Sequence, residues 1–418
     1  MATGDREAFR DRLLQCSDEA EEILLRLLAI SSENPPGDTT ALAHEIGSIL
    51  SAVPDIDIEL VTEVEPIVNV AAVIGGHGPG RRLVFNGHLD TFENGDLSAW
   101  STSPFGERKA DCIYGRGAAD MKGGLAAQVF AAIRLAEARQ HWQGELVLIL
   151  TGDEESAGPH GTQYLLETNE LATGDAMMCA DAGSPQVLRF GEKGALWLTI
   201  QARGRGGHGA HAHLTISAVD RLIDAMTSLR TIATMPLAAT PEIDAAIDDA
   251  AAVSEQHSGA GEAQTLKSIT VNFGTIRGGT TRNIVADHAE ATADIRLPAG
   301  AGLDLVKAAI TARLEGLPGI SYRIDNQSGA TVTDPGHEIV TRSVAVSSEV
   351  IGRKAVATMR VGASDSPYFR TRGIPSVVCG LTPYNMGASD EHILVDELKQ
   401  LAQIYALTGF DYLCADIT

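Results

Sequence analysis

The stretch Leu146-Val147-Leu148-Ile149-Leu150-Thr151-Gly152-Asp153-Glu154-Glu155 decides the fold. Five apolar residues in succession, without the alternation of a half-solvated strand, form the pattern of a strand covered on both faces, as in a parallel sheet. An acidic turn follows at once. The same arrangement recurs where Leu83-Val84-Phe85 runs into Asn86-Gly87-His88-Leu89-Asp90, and where Met177-Met178-Cys179 runs into Ala180-Asp181. In open α/β sheets the crevice at the carboxyl ends of the strands is where ligands bind. Two further segments, Gly115-Arg116-Gly117-Ala118-Ala119-Asp120 and Asp390-Glu391-His392, carry the same residue types. Histidines and carboxylates gathered in one crevice are donors for a divalent metal, zinc above all.

Outward from these runs the chain alternates helix and strand. Apolar positions at Ile23, Leu24, Leu27 and Leu28 predict a helix over about 17–30, and Leu125, Val129, Ile133 and Ala136 predict another directly after Asp120. From about residue 190 the texture changes to strands of antiparallel character, at 195–200, 269–273 and 289–297, with a helix near 216–233. The acidic, Ala-rich stretch 236–266 is weakly patterned and reads as a mobile insertion or a poorly ordered loop. Alternation resumes near 303. The expected organisation is an α/β catalytic domain (1–190 and 303–418) interrupted by a smaller α+β domain (191–302).

Each motif has a local chemical reading. Residues i and i+2 of a strand share a face, so His88 can bind metal while Asp90 holds its other ring nitrogen; a metal-free strand-end pair reads equally well. Gly115-x-Gly117 begins a dinucleotide fingerprint, but Asp120 replaces the third glycine and puts negative charge where a pyrophosphate would sit. Glu154 and Glu155 are adjacent and point to different sides, so one can bind metal while the other takes a proton from water. A solvated acidic turn is the plainer alternative.

Taken together, Gly87-His88-Leu89-Asp90-Thr91, Gly115 to Gly124, Asp153-Glu154-Glu155, Asp181, Gly204-x-x-Gly207-His208, Asn283, Asp294-x-Arg296 and Glu391-His392 resemble the M20 family of metallo-amidohydrolases. That family includes desuccinylases, deacetylases, aminoacylases and carboxypeptidases. The resemblance implies a mostly parallel-sheet, metallo-exopeptidase-like catalytic domain with an inserted lid and dimerisation domain. It implies two divalent ions, zinc or else cobalt or manganese, with His88 and Asp181 on one, Glu155 and His392 on the other, and Asp120 bridging. Glu154 would be the general base, Asp90 the orienter of His88, and the Asp120–Met121 peptide cis. His208 would reach the active site of the opposite subunit of a homodimer and stabilise the oxyanion, with His211 and His213 crowding the same loop. Asn283, Arg296 and Ser364, the last in the loop Gly362 to Ser366, would contact a small substrate carrying a carboxylate.

Three positions depart from the family pattern. Ala212 stands where relatives often have proline, and Ala363 where many deacylases carry a hydroxyl. Asp181 stands where the desuccinylases use glutamate, which weakens that assignment in particular and makes a mononuclear form an alternative. Arg282, Arg360, Arg370 and Arg372 are further cations, solvated by default. The implied activity is hydrolysis of the C–N amide bond of a small N-acyl amino acid. The alternatives are a dipeptidase or carboxypeptidase, and a catabolic hydrolase of an aryl amide, aryl amine or carbamoyl compound. A non-catalytic metal protein would have no use for Glu154.

The formal net charge of −23 argues against nucleic-acid or anionic-membrane binding. Five dispersed cysteines without a C-x-x-C pair, and an amino terminus without an apolar core, lead to the expectation of a cytoplasmic protein.

Overall fold

A computed structural model describes residues 3–415. The strand Arg82–His88 pairs in parallel with Glu145–Thr151 on one side and Ala176–Cys179 on the other, and Ser376–Val378 extends the parallel set. Antiparallel strands widen this centre into a nine-stranded sheet, with Ile56–Val61 and Asn69–Gly75 at one edge and Val187–Glu192 and Thr331–Val332 at the other. Val356–Arg360 joins Val187–Glu192 in parallel. The unbroken apolar run is explained by its two faces. Leu146, Leu148 and Leu150 pack into one core with Leu83 and Phe85, while Val147 and Ile149 pack into a second with Val84, Leu165 and Phe369.

The helices Gly123–Glu137 and Val395–Leu413 cover the first face, where Phe85 meets Tyr405 edge-on with centroids 5.0 Å apart. Gly124 makes that cover close-fitting: a Cβ there would lie 2.2 Å from the carbonyl oxygen of Ala180, the residue before Asp181. Among the described residues no helix is long and apolar enough to cross a membrane.

The second body is a four-stranded antiparallel sheet in the order Thr270–Gly278, His288–Leu297, Gly194–Arg203, Ile320–Gln327. His288–Leu297 alternates strictly between buried and half-buried residues, as a sheet covered on one face requires. The cover is two helices, Ala218–Arg230 and Leu303–Leu314, whose Leu222, Ala225, Leu229, Val306, Ile310 and Leu314 share a core of their own.

Two sequence expectations are corrected here. The smaller body does not end at 302, because Leu303–Leu314 and Ile320–Gln327 complete its sheet and core; the chain returns to the large sheet at Thr331–Val332. The stretch 236–266 is not a loop. It forms the helices Pro241–Ser258 and Glu262–Leu266, which pack on the large body through Ile247, Ala250 and Leu266. Its apolar stripe is built from alanine and single isoleucines, so its amplitude is small, and a buried Arg189–Glu262 ion pair at 3.0 Å supplies the remaining anchor.

Gly124→Ala should lower the thermal midpoint, at a cost of about 1–3 kcal/mol for overpacking. An unchanged midpoint would mean that the helix retreats from Ala180 without penalty.

Candidate metal centre and active site

Asp90 organises the crevice. Its fully buried carboxylate accepts from the Asn34 amide at 2.8 Å, from the Glu154 N–H at 3.2 Å and from the Glu155 N–H at 3.1 Å. It therefore pins the turn that follows Glu145–Thr151. Asp153 enters that turn at φ +73°, a conformation unusual for a non-glycine residue, and its carboxylate accepts from Ser156 Oγ and from His160 N–H. The sequence reading gave Asp90 the task of holding His88. The contact runs through the main chain instead: His88 Nδ1 lies 2.9 Å from the Asp90 carbonyl oxygen, against 3.7 Å from its carboxylate. With Nδ1–H donated to that carbonyl, loss of the Nε2 proton to solvent would leave Nε2 with the lone pair a metal needs.

His88 Nε2 lies 3.0 Å from Asp120 Oδ1. Asp120 is carried on the Gly117 turn (φ +81°) and followed by a cis peptide to Met121. Glu391 buttresses this loop from below. It is fully buried, accepts from the Ala119 N–H at 3.0 Å and pairs with Arg116 at 2.6 Å. Neither the Glu391 role nor the burial of Lys122, whose Nζ donates to the Ile30 carbonyl at 2.6 Å, was assigned from sequence.

Ligand atoms of His88, Asp120 and Glu155 all lie within 4.8 Å of one another. Glu155 Oε1 is buried without a hydrogen-bond partner. One neutral imidazole, two carboxylates and an orphaned oxygen fit a divalent ion well. Electrostatics agree. Burial, reinforced by Asp120 and Asp90, pushes Glu155 up to about 8, with His88 opposing. Burial likewise holds Glu154 well above the usual carboxylate range. His88 is raised despite its burial, by the Asp120 hydrogen bond and the charge of Glu154.

Asp181 and His392 are not part of this tight group. Asp181, pushed up to about 6 by burial against the opposing charge of Arg360, is bound to that arginine at 3.0 Å. His392 donates through Nδ1–H to the Asp390 carbonyl (2.9 Å) and is flanked by the rings of Tyr114 and Tyr384 at 4.7 and 5.0 Å. Arg370 is buried and the Arg360 side chain is only 16% exposed, contrary to expectation, whereas Arg282 and Arg372 are exposed. Arginine at the end of a strand that enters the crevice was the available signal for Arg360.

The remaining candidates lie apart. His208 is exposed; its Nδ1 accepts from the Ala210 N–H at 3.2 Å and its ring stands 6.1 Å from that of His211. Asn283 sits beside it, since His208 pairs with Ile284 and the Gly209 N–H donates to the Asn283 carbonyl at 2.7 Å. Arg296 is engaged by Asp294 at 2.9 Å on the small sheet. Ser364 is buried, with its hydroxyl spent on Glu192 and on the Ser366 N–H, so in this arrangement it is not offered to a substrate.

A crevice of this kind, at the carboxyl ends of parallel strands with clustered metal donors, defines a metal-dependent hydrolase. The sequence model of peptidase family M20/M25/M40 matches residues 84–409, and the chain belongs to that family, whose members hydrolyse C–N amide bonds. It is 32% identical over 354 residues to a succinyl-diaminopimelate desuccinylase of Parvibaculum lavamentivorans, covering 81% of each chain. Its fold is similar to that of an M20 family metallo-carboxypeptidase from Sulfolobus solfataricus (TM-score 0.77, 19% identity, 95% of this chain and 100% of that one). It is also similar to a dinuclear metal-binding peptidase of the family from Bacillus subtilis (TM-score 0.66, 14% identity, 97% and 99%).

Protons and metal compete for this cluster. Glu155 and His88 both hold protons more tightly than usual in the metal-free protein, so binding must release them. The raised Glu155 carboxyl is protonated in the fold between about 4.5 and about 8 and loses that proton as pH rises. Apparent zinc affinity should therefore increase from pH 6 to pH 8, with net proton release in calorimetry across buffers of different ionisation enthalpy. A pH-independent affinity would contradict the assignment of these ligands.

Proposed function

We propose that the chain hydrolyses the amide bond of a small N-acyl amino acid, with Glu154 as the general base. The observation that carries this reading is the paired turn: Glu155 faces the metal cluster, while the neighbouring Glu154 is an additional carboxylate, fixed by the same Asp90 anchor and raised in proton affinity by burial. Such a carboxylate suits proton transfer near neutral pH. The N-acyl class is supported by the desuccinylase relative, whose substrate is named in those terms. The likeness to a carboxypeptidase favours a peptide as the second reading.

His88, Asp120 and Glu155 would hold the ion, which we take to be zinc. When bound, it acidifies water and polarises the amide carbonyl. Glu154 receives the proton of the attacking water and passes it to the departing nitrogen. Asp90 keeps both glutamates in place and, through its carbonyl, sets the His88 tautomer. His208 and Asn283, held together on one edge of the small body, would donate to the oxyanion and to the substrate. Arg296 would add a partly compensated cation for a substrate carboxylate. His208 is exposed and makes no contact with the metal cluster among the described residues, which supports action across a homodimer. The unpaired cysteines support a reducing, cytoplasmic setting.

Glu154→Ala should keep its bound zinc and lose turnover by about 10²–10⁴-fold or more. Products would be followed by mass spectrometry on N-acetyl, N-succinyl and N-formyl amino acids, dipeptides and aryl amides. Retained turnover would remove the base assignment, and cleavage confined to dipeptides would move the function to the peptidase reading. For the shared site, mixing inactive Glu154→Ala and His208→Ala proteins should restore part of the activity. No rescue, with mixed dimers shown by native mass spectrometry, would place His208 outside the reaction.

A further inference from the structure

The turn Asn34-Pro35-Pro36-Gly37 lies between the helices Glu19–Leu28 and Thr40–Leu50 and carries none of the metal donors. It is laced to the loop that leaves the strand Arg82–His88. Ser32 Oγ donates to the Leu89 carbonyl at 2.7 Å, the Thr91 N–H to the Ser32 carbonyl at 3.0 Å, and the Asn34 N–H to the Thr91 carbonyl at 2.7 Å. Gly37 closes the turn at φ +77°, its N–H donating to the Glu33 carbonyl at 2.8 Å. A Cβ on Gly37 would stand 3.4 Å from the carboxamide carbon and oxygen of Asn34, so the turn folds directly over that side chain. The Asn34 amide is thereby aimed at Asp90 Oδ2, 2.8 Å away. This is the shortest of the three bonds that Asp90 accepts, and the one from a side chain among the described residues. The other two come from the main chain of Glu154 and Glu155. Asp90 is fully buried, so a lost donor is not replaced by solvent, and the carboxylate can recover one only by moving. The turn that it anchors would move with it. An amide suits the position because it donates without adding charge.

We propose that Asn34 is a positioning residue for the reaction: by holding Asp90 it sets the turn that places Glu154 for proton transfer. It acts two hydrogen bonds away from the base and touches no reacting atom. This role rests on the general-base reading of Glu154 and is independent of the substrate.

Asn34→Leu keeps the volume of the side chain and removes the donor. In the zinc-loaded full chain, hydrogen-exchange mass spectrometry should show the Glu154 and Glu155 amides exchanging faster by about tenfold or more, with the strand Glu145–Thr151 unaffected. Zinc content should match that of the unaltered chain. For whichever substrate of the panel is cleaved fastest, kcat should fall by about 10–100-fold while KM stays within about twofold. Added to Glu154→Ala, the substitution should bring no further loss, because the base it places is already gone. Unchanged exchange over 152–158 would overturn the proposal. So would a loss of kcat that multiplies with that of Glu154→Ala, or a loss confined to zinc content or KM. If Asn34→Leu fails to fold, Asn34→Ser, too short to reach Asp90, takes its place with the same expected outcomes. Full turnover in Glu154→Ala alone would remove the base assignment, and with it the reaction that Asn34 serves, whereas additive losses with Glu154 essential would remove only Asn34.

Discussion

Crowded negative charge in a dry crevice is the constraint around which this molecule is built. Asp90, Asp120, Glu154, Glu155, Asp181 and Asp365 are brought together by strand ends and the loops that follow them. Burial and mutual repulsion press most of them toward the protonated state; Asp120 is held low by the His88 hydrogen bond. Isolated ionised carboxylates are too costly to bury, so each must be paired, protonated or given to a cation. Each solution appears here. Asp90 is satisfied by three N–H donors, Asp365 by the hydroxyls of Thr151 and Thr162, and Asp181 by Arg360. Glu155 retains an oxygen with no partner. The unmet demand is concentrated where the chemistry needs a metal ion.

The supporting framework is correspondingly stiff. The strand Arg82–His88 is buried from Leu83 to its last residue, and Glu145–Thr151 from Leu146 onward. Gly124 lets a covering helix touch the Ala180 carbonyl, so the residue that introduces Asp181 is fixed by backbone rather than by a side chain. Glu391, although adjacent to a candidate ligand, acts on the other side of the site by holding the main chain at Ala119. Interactions with backbone groups leave fewer rotamers to freeze, which favours a site whose donors must be set to within fractions of an ångström.

Much of this was legible in the sequence because buried parallel strands carry an unusual signature, and because motifs that end such strands share one crevice whatever their separation along the chain. The helix at 241–258 was missed for the opposite reason. Its buried face at Ile247, Ala250 and Ser254 is made of small or polar residues that barely register as a stripe. Extension of the small body beyond 302 was hidden because a helix followed by a strand looks alike in either domain; which sheet a strand joins is set by long-range pairing. Arg360 shows a further limit. An arginine is solvated by default; its place at a strand end was the one hint, and the register of Val356–Arg360 on its neighbour shows that it enters the crevice. The Asp90 contact to His88 was placed on the right residue and the wrong atom, since a period-two argument concerns side chains and is silent about carbonyls.

The return of 241–266 to the large body has a mechanical meaning. The chain passes between the two bodies near 192–194, 235–241, 266–269 and 327–331. Three of these passages are tied together. Ala195 and Ser328 exchange main-chain hydrogen bonds at 3.1 and 2.7 Å, and the Lys193 ammonium donates to the Thr265 and Ser268 carbonyls, each at 2.7 Å. The fourth is held separately, through Ala238 and Gly300. Bundled crossings resist stretching and sliding, so they join the two bodies more firmly than separate tethers would. The place of the His208 edge is therefore set at that junction, by the main-chain and lysine bonds that gather three crossings into one.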